Sequence, residues 1–311
     1  MKNKIFSLLL AVIMLLPLVS CRRVEKVNDK PSIVTTNFAM FDFARAVAGD
    51  AADVMMLISP GSESHDFEVK LADMTAISNA DLFVCVGGES EIDWVNGALD
   101  SIYDPPETIA AIQLCRTYEE ETVEGMAPSD EDEDEAVADE HCWTSFDNAV
   151  QIIEVIAERL ENKFPEHADT FRSNAEKYIA ELNGLKEEYR SVIDSAARKT
   201  LVVADRFPFR YLTEEFGLDY YAAFSGCTSA TEPSLSTVNF LIEKVKSEAI
   251  PAVFIIEFSD GRTADAVAAE CGCEILTLHS AHNVSKEDYR AGVTYADIMR
   301  SNLEALKIAL N

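Results

Sequence analysis

Residues 166–197, EHADTFRSNAEKYIAELNGLKEEYRSVIDSAA, are the most regular stretch of the chain. Their apolar side chains recur at steps of three and four residues, which is the spacing of one face of an α-helix. At 1.5 Å per residue the stretch predicts one helix of roughly 45–50 Å, long enough to connect two lobes. The apolar stripe consists of Ala168, Phe171, Ala175, Tyr178, Ile179, Leu182, Leu185, Tyr189, Val192 and Ala196.

Short apolar runs alternate with helical segments on both sides of this helix. Such alternation is typical of parallel sheets covered by helices. We therefore predict an α/β fold of two β/α lobes, residues 32–165 and 198–311, joined by the helix at 166–197. The predicted strands are 32–36, 53–58, 82–86 and 108–114 in the first lobe, and 201–204, 218–223, 252–256 and 274–278 in the second.

The first twenty residues have the features of an export signal. They open with two lysines and continue as an apolar run that is too short to cross a bilayer as a helix. The run ends in Leu18-Val19-Ser20-Cys21, which resembles the bacterial lipoprotein box. We predict a signal peptide at 1–20, a lipid on Cys21, a tether at 21–31 and a location on the extracytoplasmic face of the cell membrane. The alternative is a plain signal peptide followed by an incidental cysteine.

The chain is strongly acidic, with a formal net charge of -29 over 311 residues. This charge argues against binding nucleic acid, because the phosphates would be repelled. Residues 119–140 hold twelve acidic residues and neither lysine nor arginine, which predicts a mobile acidic loop. The loop either gathers cations weakly or is simply a solvated run of charge.

Six of the seven cysteines remain once Cys21 is assigned to the lipid. Cys85 lies inside an apolar run and is expected to be a buried small side chain. The chain has no Cys-x-x-Cys element, which argues against a structural thiolate zinc site. The pairing of the six is left open: they are Cys85, Cys115, Cys142, Cys227, Cys271 and Cys273.

Histidine is scarce, with five in the chain, and three lie on loops around the predicted strands. They are His65, His141 and His279, and His282 follows three residues later. In parallel α/β sheets ligands bind outside the carboxyl ends of the strands, and imidazole is the usual zinc ligand. Any one of them alone would be an ordinary surface histidine, but together they predict a metal site. His167 begins the long helix and is expected at the surface.

Several motifs carry a resemblance to a known family. They include Pro60-Gly61-Ser62-Glu63-Ser64-His65-Asp66-Phe67-Glu68, Ala80-Asp81-Leu82-Phe83-Val84, and Glu140-His141-Cys142-Trp143 ahead of a helix. With the long helix at 164–189, they resemble the zinc- and manganese-binding receptors of metal ABC importers over nearly the whole mature chain. The resemblance implies the two-lobed fold and a receptor function.

The resemblance also implies a ligand set. It makes His65 and His141 ligands, and it places Arg206, which cannot bind a cation, at a ligand position before Phe209-Arg210-Tyr211. Asp205 is the candidate in its place, and Glu257 is expected to orient a histidine from outside the ligand set. Three histidines and one carboxylate favour zinc over manganese. The predicted ligands are His65, His141, His279 and Asp205, with His282 or water as alternatives to the last.

The function implied is the capture of zinc outside the cell and its delivery to a membrane permease driven by an ATPase. A manganese receptor of the same family is the alternative. We expect a monomer that catalyses no reaction and whose metal affinity falls in acid. Two other hypotheses are a zinc metallohydrolase with Asp205 or Glu257 as base, and an additional role as an adhesin.

Overall fold

The computed structural model describes residues 30–62, 67–126, 137–226 and 233–311. Cys21, His65, Cys227 and residues 127–136 of the acidic loop lie outside these ranges. Within them, no helix combines the length and the apolar character needed to span a membrane.

The first sheet has four parallel strands in the order β2-β1-β3-β4. Its strands are β1 (Ser32–Thr35), β2 (Asp53–Met56), β3 (Leu82–Cys85) and β4 (Glu107–Ala110). The helices that follow the first three strands are α1 (Phe38–Ala48), α2 (Leu71–Asn79) and α3 (Glu89–Asp100). Asn37 caps α1 by accepting a hydrogen bond from the Met40 amide at 3.0 Å.

The second sheet is also parallel, in the order β6-β5-β7-β8. Its strands are β5 (Thr200–Phe207), β6 (Asp219–Ser225), β7 (Ala252–Ile255) and β8 (Glu274–Thr277). The remaining helices are α4 (Phe146–Lys163), the connecting helix α5 (Ala168–Ser195), α6 (Arg210–Phe216), α7 (Leu235–Ser247), α8 (Arg262–Cys271), α9 (Lys286–Ala291) and α10 (Tyr295–Ala309). The two parallel sheets and the long helix confirm the predicted fold class.

Helix α5 buries six of the ten side chains of the predicted stripe, and it also buries Ile193, which the prediction did not include. Seven of its side chains are inaccessible or nearly so, and they pack against α1, α4 and α10. Tyr189 is fully buried, and its hydroxyl donates to the Met299 carbonyl at 2.6 Å. Burying an aromatic ring of this size typically contributes a few kcal/mol, since truncating one to alanine costs about 3–5 kcal/mol. The helix is therefore bound firmly to helices that come before and after it in the chain.

A continuous hydrophobic core extends through both lobes. One cluster contains Ile33 and Val84 from the first sheet together with Val203 and Phe254 from the second. Smaller clusters cover the outer face of each sheet. Trp143 is fully buried, and its indole donates to the Ser280 carbonyl at 2.8 Å. These interlobe contacts limit the extent to which the lobes can separate.

Three details differ from the prediction. Strand β5 does not end at Ala204 but continues to Phe207, with a register shift between Val203 and Arg206 where it pairs with β6. The predicted strand 108–114 ends at Ala110, and a short 3-10 turn follows it. Helix α9 was not predicted, because six residues carry too little periodic signal.

The acidic segment is more ordered at its ends than the prediction of a mobile loop suggested. Glu119 and Ala138 form an isolated antiparallel bridge, and the Glu120 amide donates to the Val137 carbonyl at 2.9 Å. Asp139 and Glu140 are buried rather than solvated. Their burial needs partners for both carboxylates, and those partners lie beside the candidate site.

Candidate metal site

A small cavity lies between the ends of the two sheets. Its lining includes Ser62, His141, Arg206, Glu257, Ser280 and His282. The cavity volume is about 20 Å³, which leaves room for roughly one water-sized particle. Residues from both lobes contribute to this lining, so an ion placed here would contact both.

His141 is buried and held by its own local sequence. Both its backbone amide and its ring Nδ1 contact Oδ1 of Asp139, at 2.8 and 3.0 Å. This contact favours a ring proton on Nδ1, in which case Nε2 is the nitrogen through which the ring could bind a metal. Burial alone would lower the pKa of His141, but the nearby carboxylate of Asp139 outweighs it and raises this pKa.

His282 is the second imidazole in the cavity. Its ring is nearly perpendicular to that of His141, with centroids 5.5 Å apart, and it also contacts the Trp143 ring at 5.1 Å. Its backbone carbonyl accepts from the Phe38 amide of α1 at 2.9 Å. The sequence named His282 only as an alternative, whereas the structure places it beside His141.

His279 and Asp205 do not line the cavity. Nδ1 of His279 accepts from the Ala281 amide at 2.9 Å, and the His279 amide donates to Asn302 at 2.8 Å. Asp205 accepts from the Arg206 amide at 2.8 Å, and its other oxygen pairs with the Ser259 hydroxyl. The side chain that β5 contributes to the lining is instead that of Arg206.

Glu257 lines the cavity and supports the chain after β8. Its carboxylate accepts from the Ser280 amide at 2.8 Å and from the Ser280 hydroxyl. It also lies 3.7 Å from Nδ1 of His279. Glu257 thus contacts the segment that carries both His279 and His282, as a residue that orients this segment would.

Two buried carboxylates, Glu140 and Glu91, lie near the His141 segment. Glu140 accepts from the Ser90 hydroxyl at 2.7 Å and from its amide at 3.1 Å. Glu91 accepts from the amides of Val86 and Gly87 at 2.8 and 3.1 Å. The pKa of Glu91 is raised to about 7, mainly by burial and to a smaller extent by the charge of Glu140, while the hydrogen bond from the Gly87 amide opposes the rise.

Within the described ranges, no cluster of three or more His, Cys, Asp or Glu side chains has the arrangement of a metal site. His65 lies outside those ranges, so its predicted role as a ligand stays a prediction. Asp139 and Trp143 were missed as residues that position His141. An acid two residues before a candidate histidine was a usable signal for Asp139, since such acids commonly orient ligating imidazoles.

Gly226 packs directly against the His141 ring. A Cβ at this position would lie 3.2 Å from Cε1 and Nδ1 of His141 and 3.0 Å from the Phe207 carbonyl oxygen. We therefore expect Gly226→Ala to displace the ring and weaken metal binding about tenfold, the scale on which changes around a metal site act. A competition titration with a chromogenic chelator measures this. Gly217→Ala is not a suitable control, because Gly217 has a positive φ of 64°, so Gly184→Ala in α5 serves instead.

The family model "ZnuA: Zinc-uptake complex component A periplasmic" matches residues 33–309. The chain belongs to this family. The match covers both sheets and α5, so the zinc-uptake family accounts for the complete two-lobed fold described above.

Individual proteins of the zinc-uptake family are similar to this chain over most of its length. The zinc-binding lipoprotein AdcA of Streptococcus pneumoniae (serotype 4) is 33% identical over 98% of this chain, which spans 60% of that relative. The high-affinity zinc uptake system protein ZnuA of Bacillus subtilis is 30% identical, covering 91% of this chain and 88% of the relative. The Zn(II)-bound ZnuA-like domain of S. pneumoniae AdcA superposes with a TM-score of 0.73 at 29% identity, covering 90% of this chain and 99% of that domain.

Proposed function

We propose that this chain is an extracytoplasmic zinc receptor that delivers the ion to an ABC importer. The observation that carries the proposal is the pair of imidazoles, His141 and His282, in a cavity of one-ion size between two lobes. Relatives named for zinc binding and zinc uptake support it. The chain spans about 60% of the length of the S. pneumoniae AdcA.

The proposed ligands are His141 and His282, together with His65 from outside the described residues. His279 and Asp205 are the alternative ligands. They rank below His141 and His282 because neither lines the cavity and both already have hydrogen-bond partners. Imidazole nitrogens suit zinc, whereas oxygen-rich sets suit manganese, so the histidines favour zinc. A manganese receptor of the same family remains the alternative function.

Protonation of the histidines and movement of their loops would govern how zinc is captured and released. A metal and a proton compete for the same lone pair on each ligating imidazole, so zinc affinity falls as the pH falls. Asp139 holds the His141 ring in place during this exchange. The shared core and α5 restrict the lobes, so release proceeds through small movements of the loops that carry the histidines.

The proposed partners are a membrane permease and its ATPase, with a lipid on Cys21 holding a monomeric receptor at the membrane. The chain binds and releases without catalysis. The cavity volume of about 20 Å³ supports this, because an organic substrate would not fit beside a bound ion. A metallohydrolase would need such room next to its metal-bound water.

Metal competition tests the proposal. The metal-free protein is titrated with zinc and with manganese against a chromogenic chelator at pH 7.5 and pH 5.5. We expect one zinc per chain, manganese binding at least about 100-fold weaker, and clearly weaker zinc binding at the lower pH. Tighter binding of manganese, or no zinc bound at either pH, would contradict the proposal.

A further inference from the structure

Two cysteines meet behind the His141 segment. Cys115 follows the short 3-10 turn after β4, and Cys142 directly follows His141 in the chain. The Cys142 side chain is fully buried, whereas Cys115 is partly exposed. The thiol of Cys142 is hydrogen-bonded to that of Cys115, and both are unpaired thiols in the structure.

The backbone around this pair is held in place. The side-chain amide of Asn148 donates to the carbonyl of Cys142 at 3.0 Å and to that of Arg116 at 3.4 Å. It therefore joins the two segments that carry the thiols. Both cysteines also pack into the same hydrophobic cluster, so the thiols stay adjacent without any rearrangement of the fold.

The other described cysteines contact different groups. Cys85 is buried with its thiol 3.6 Å from the Ile109 carbonyl, and the Cys271 thiol lies 3.7 Å from the Ile242 carbonyl. Cys273 packs with Cys271 at the edge of the outer cluster of the second lobe. Cys115 is thus the partner that the described residues offer to Cys142.

We propose that Cys115 and Cys142 form a disulfide in the exported protein. Exposure to an oxidising compartment rests on the proposed function, while the pairing rests on the contacts above. The oxidant is a disulfide of general form RSSR. The accessible Cys115 thiolate attacks it and expels one RS⁻, and the Cys142 thiolate then attacks Sγ of Cys115 and expels the second. Two protein thiols and RSSR become one protein disulfide and two RSH.

The bond would close the acidic segment into a loop anchored next to His141. Closing a loop of this length restricts the unfolded chain more than the folded one, and so stabilises the fold. It also joins the His141 segment covalently to the end of the first sheet. The metal-binding ring is then held through Asp139, Cys142 and the bond to Cys115.

Peptide mapping of the purified protein tests the pairing. The protein is equilibrated with oxidised and reduced glutathione, trapped with iodoacetamide and digested without reduction. We expect a Cys115–Cys142 linked peptide in the wild type and in Cys271→Ser, and none in Cys115→Ala. Reduction should lower the melting temperature by roughly 5–10 °C in the wild type and in Cys271→Ser, but not in Cys115→Ala.

Two results would overturn the proposal. One is alkylation of both Cys115 and Cys142 under oxidising conditions, and the other is linkage of either one to a different cysteine, such as Cys227. Zinc binding is measured on the same samples. A linked protein that binds no zinc would refute the proposed function and leave the disulfide standing, so the two failures are distinguishable.

Discussion

His141→Ala and His282→Ala each raise the dissociation constant for zinc by at least about 100-fold, the largest effect we expect from any single substitution. Each removes one imidazole of the pair that faces the cavity. His141→Ala also leaves the Asp139 carboxylate buried without its imidazole partner, which adds a cost in stability. The measurement is a competition titration against a chelator, with the metal content determined on the same samples.

Matched variants decide which histidine after β8 binds the metal. His279→Ala and Asp205→Asn change residues outside the cavity lining, and we expect a loss of zinc affinity of at most about tenfold from either, the lower end for residues around a metal site. His167→Ala, at the start of α5, controls for the loss of any histidine. If His279→Ala abolished binding while His282→Ala left it intact, the ligand set would be the one expected from sequence. His65→Ala extends the same test to a residue outside the described ranges.

Glu91→Gln changes how stability depends on pH, and the effect is large because Glu91 is buried. Its pKa of about 7 lies above its ordinary value of 4.5. Between these values the folded protein holds a proton that the unfolded chain has lost, so the free energy of unfolding falls as the pH rises. Between pH 4.5 and pH 8 this single group lowers the free energy of unfolding by roughly 3 kcal/mol. Glutamine is neutral throughout and removes this contribution.

We therefore expect metal-free Glu91→Gln to gain stability over the wild type at pH 8 and to match it more closely at pH 5. The glutamine oxygen can still accept the hydrogen bonds from Val86 and Gly87 that Glu91 accepts. Denaturant unfolding at several pH values measures this, with chelator present because zinc would add its own stabilisation. Asp93→Asn is the control, since it removes a charge from the exposed face of the same helix. A Glu91→Gln curve parallel to that of the wild type would contradict the prediction.

The fold was predictable wherever the signal is local. The stripe from Phe171 to Tyr189 predicts α5 because helical periodicity depends only on neighbouring turns. Strand β5 was predicted too short because Asp205 and Arg206 interrupt the apolar run, although the backbone continues past them with a shifted register. Pairing with β6 and β7 decides that end, and those partners are distant in sequence.

The candidate site was also predictable only in part from the sequence. The positions of the histidines indicated that a metal site forms where the sheets end, and His141 lies in such a cavity. The sequence did not distinguish His279 from His282, which both follow β8. Ala281 adopts a left-handed backbone with φ 59°, and the His279 ring accepts its amide. This turn places His282 beside His141, and no residue type in the segment predicts it, since alanine rarely adopts that conformation.

Local pattern and residue chemistry were enough to predict two parallel α/β lobes and the helix between them, and they favoured imidazole as the group that would bind a metal. Only the folded chain determined which imidazoles meet, that Arg206 rather than Asp205 enters the cavity, and that Cys115 contacts Cys142. The physical reason is the distance along the sequence over which each property is determined. Periodicity and ligand chemistry belong to single segments, whereas the relative position of side chains from separate segments depends on packing the whole core around Trp143 and α5.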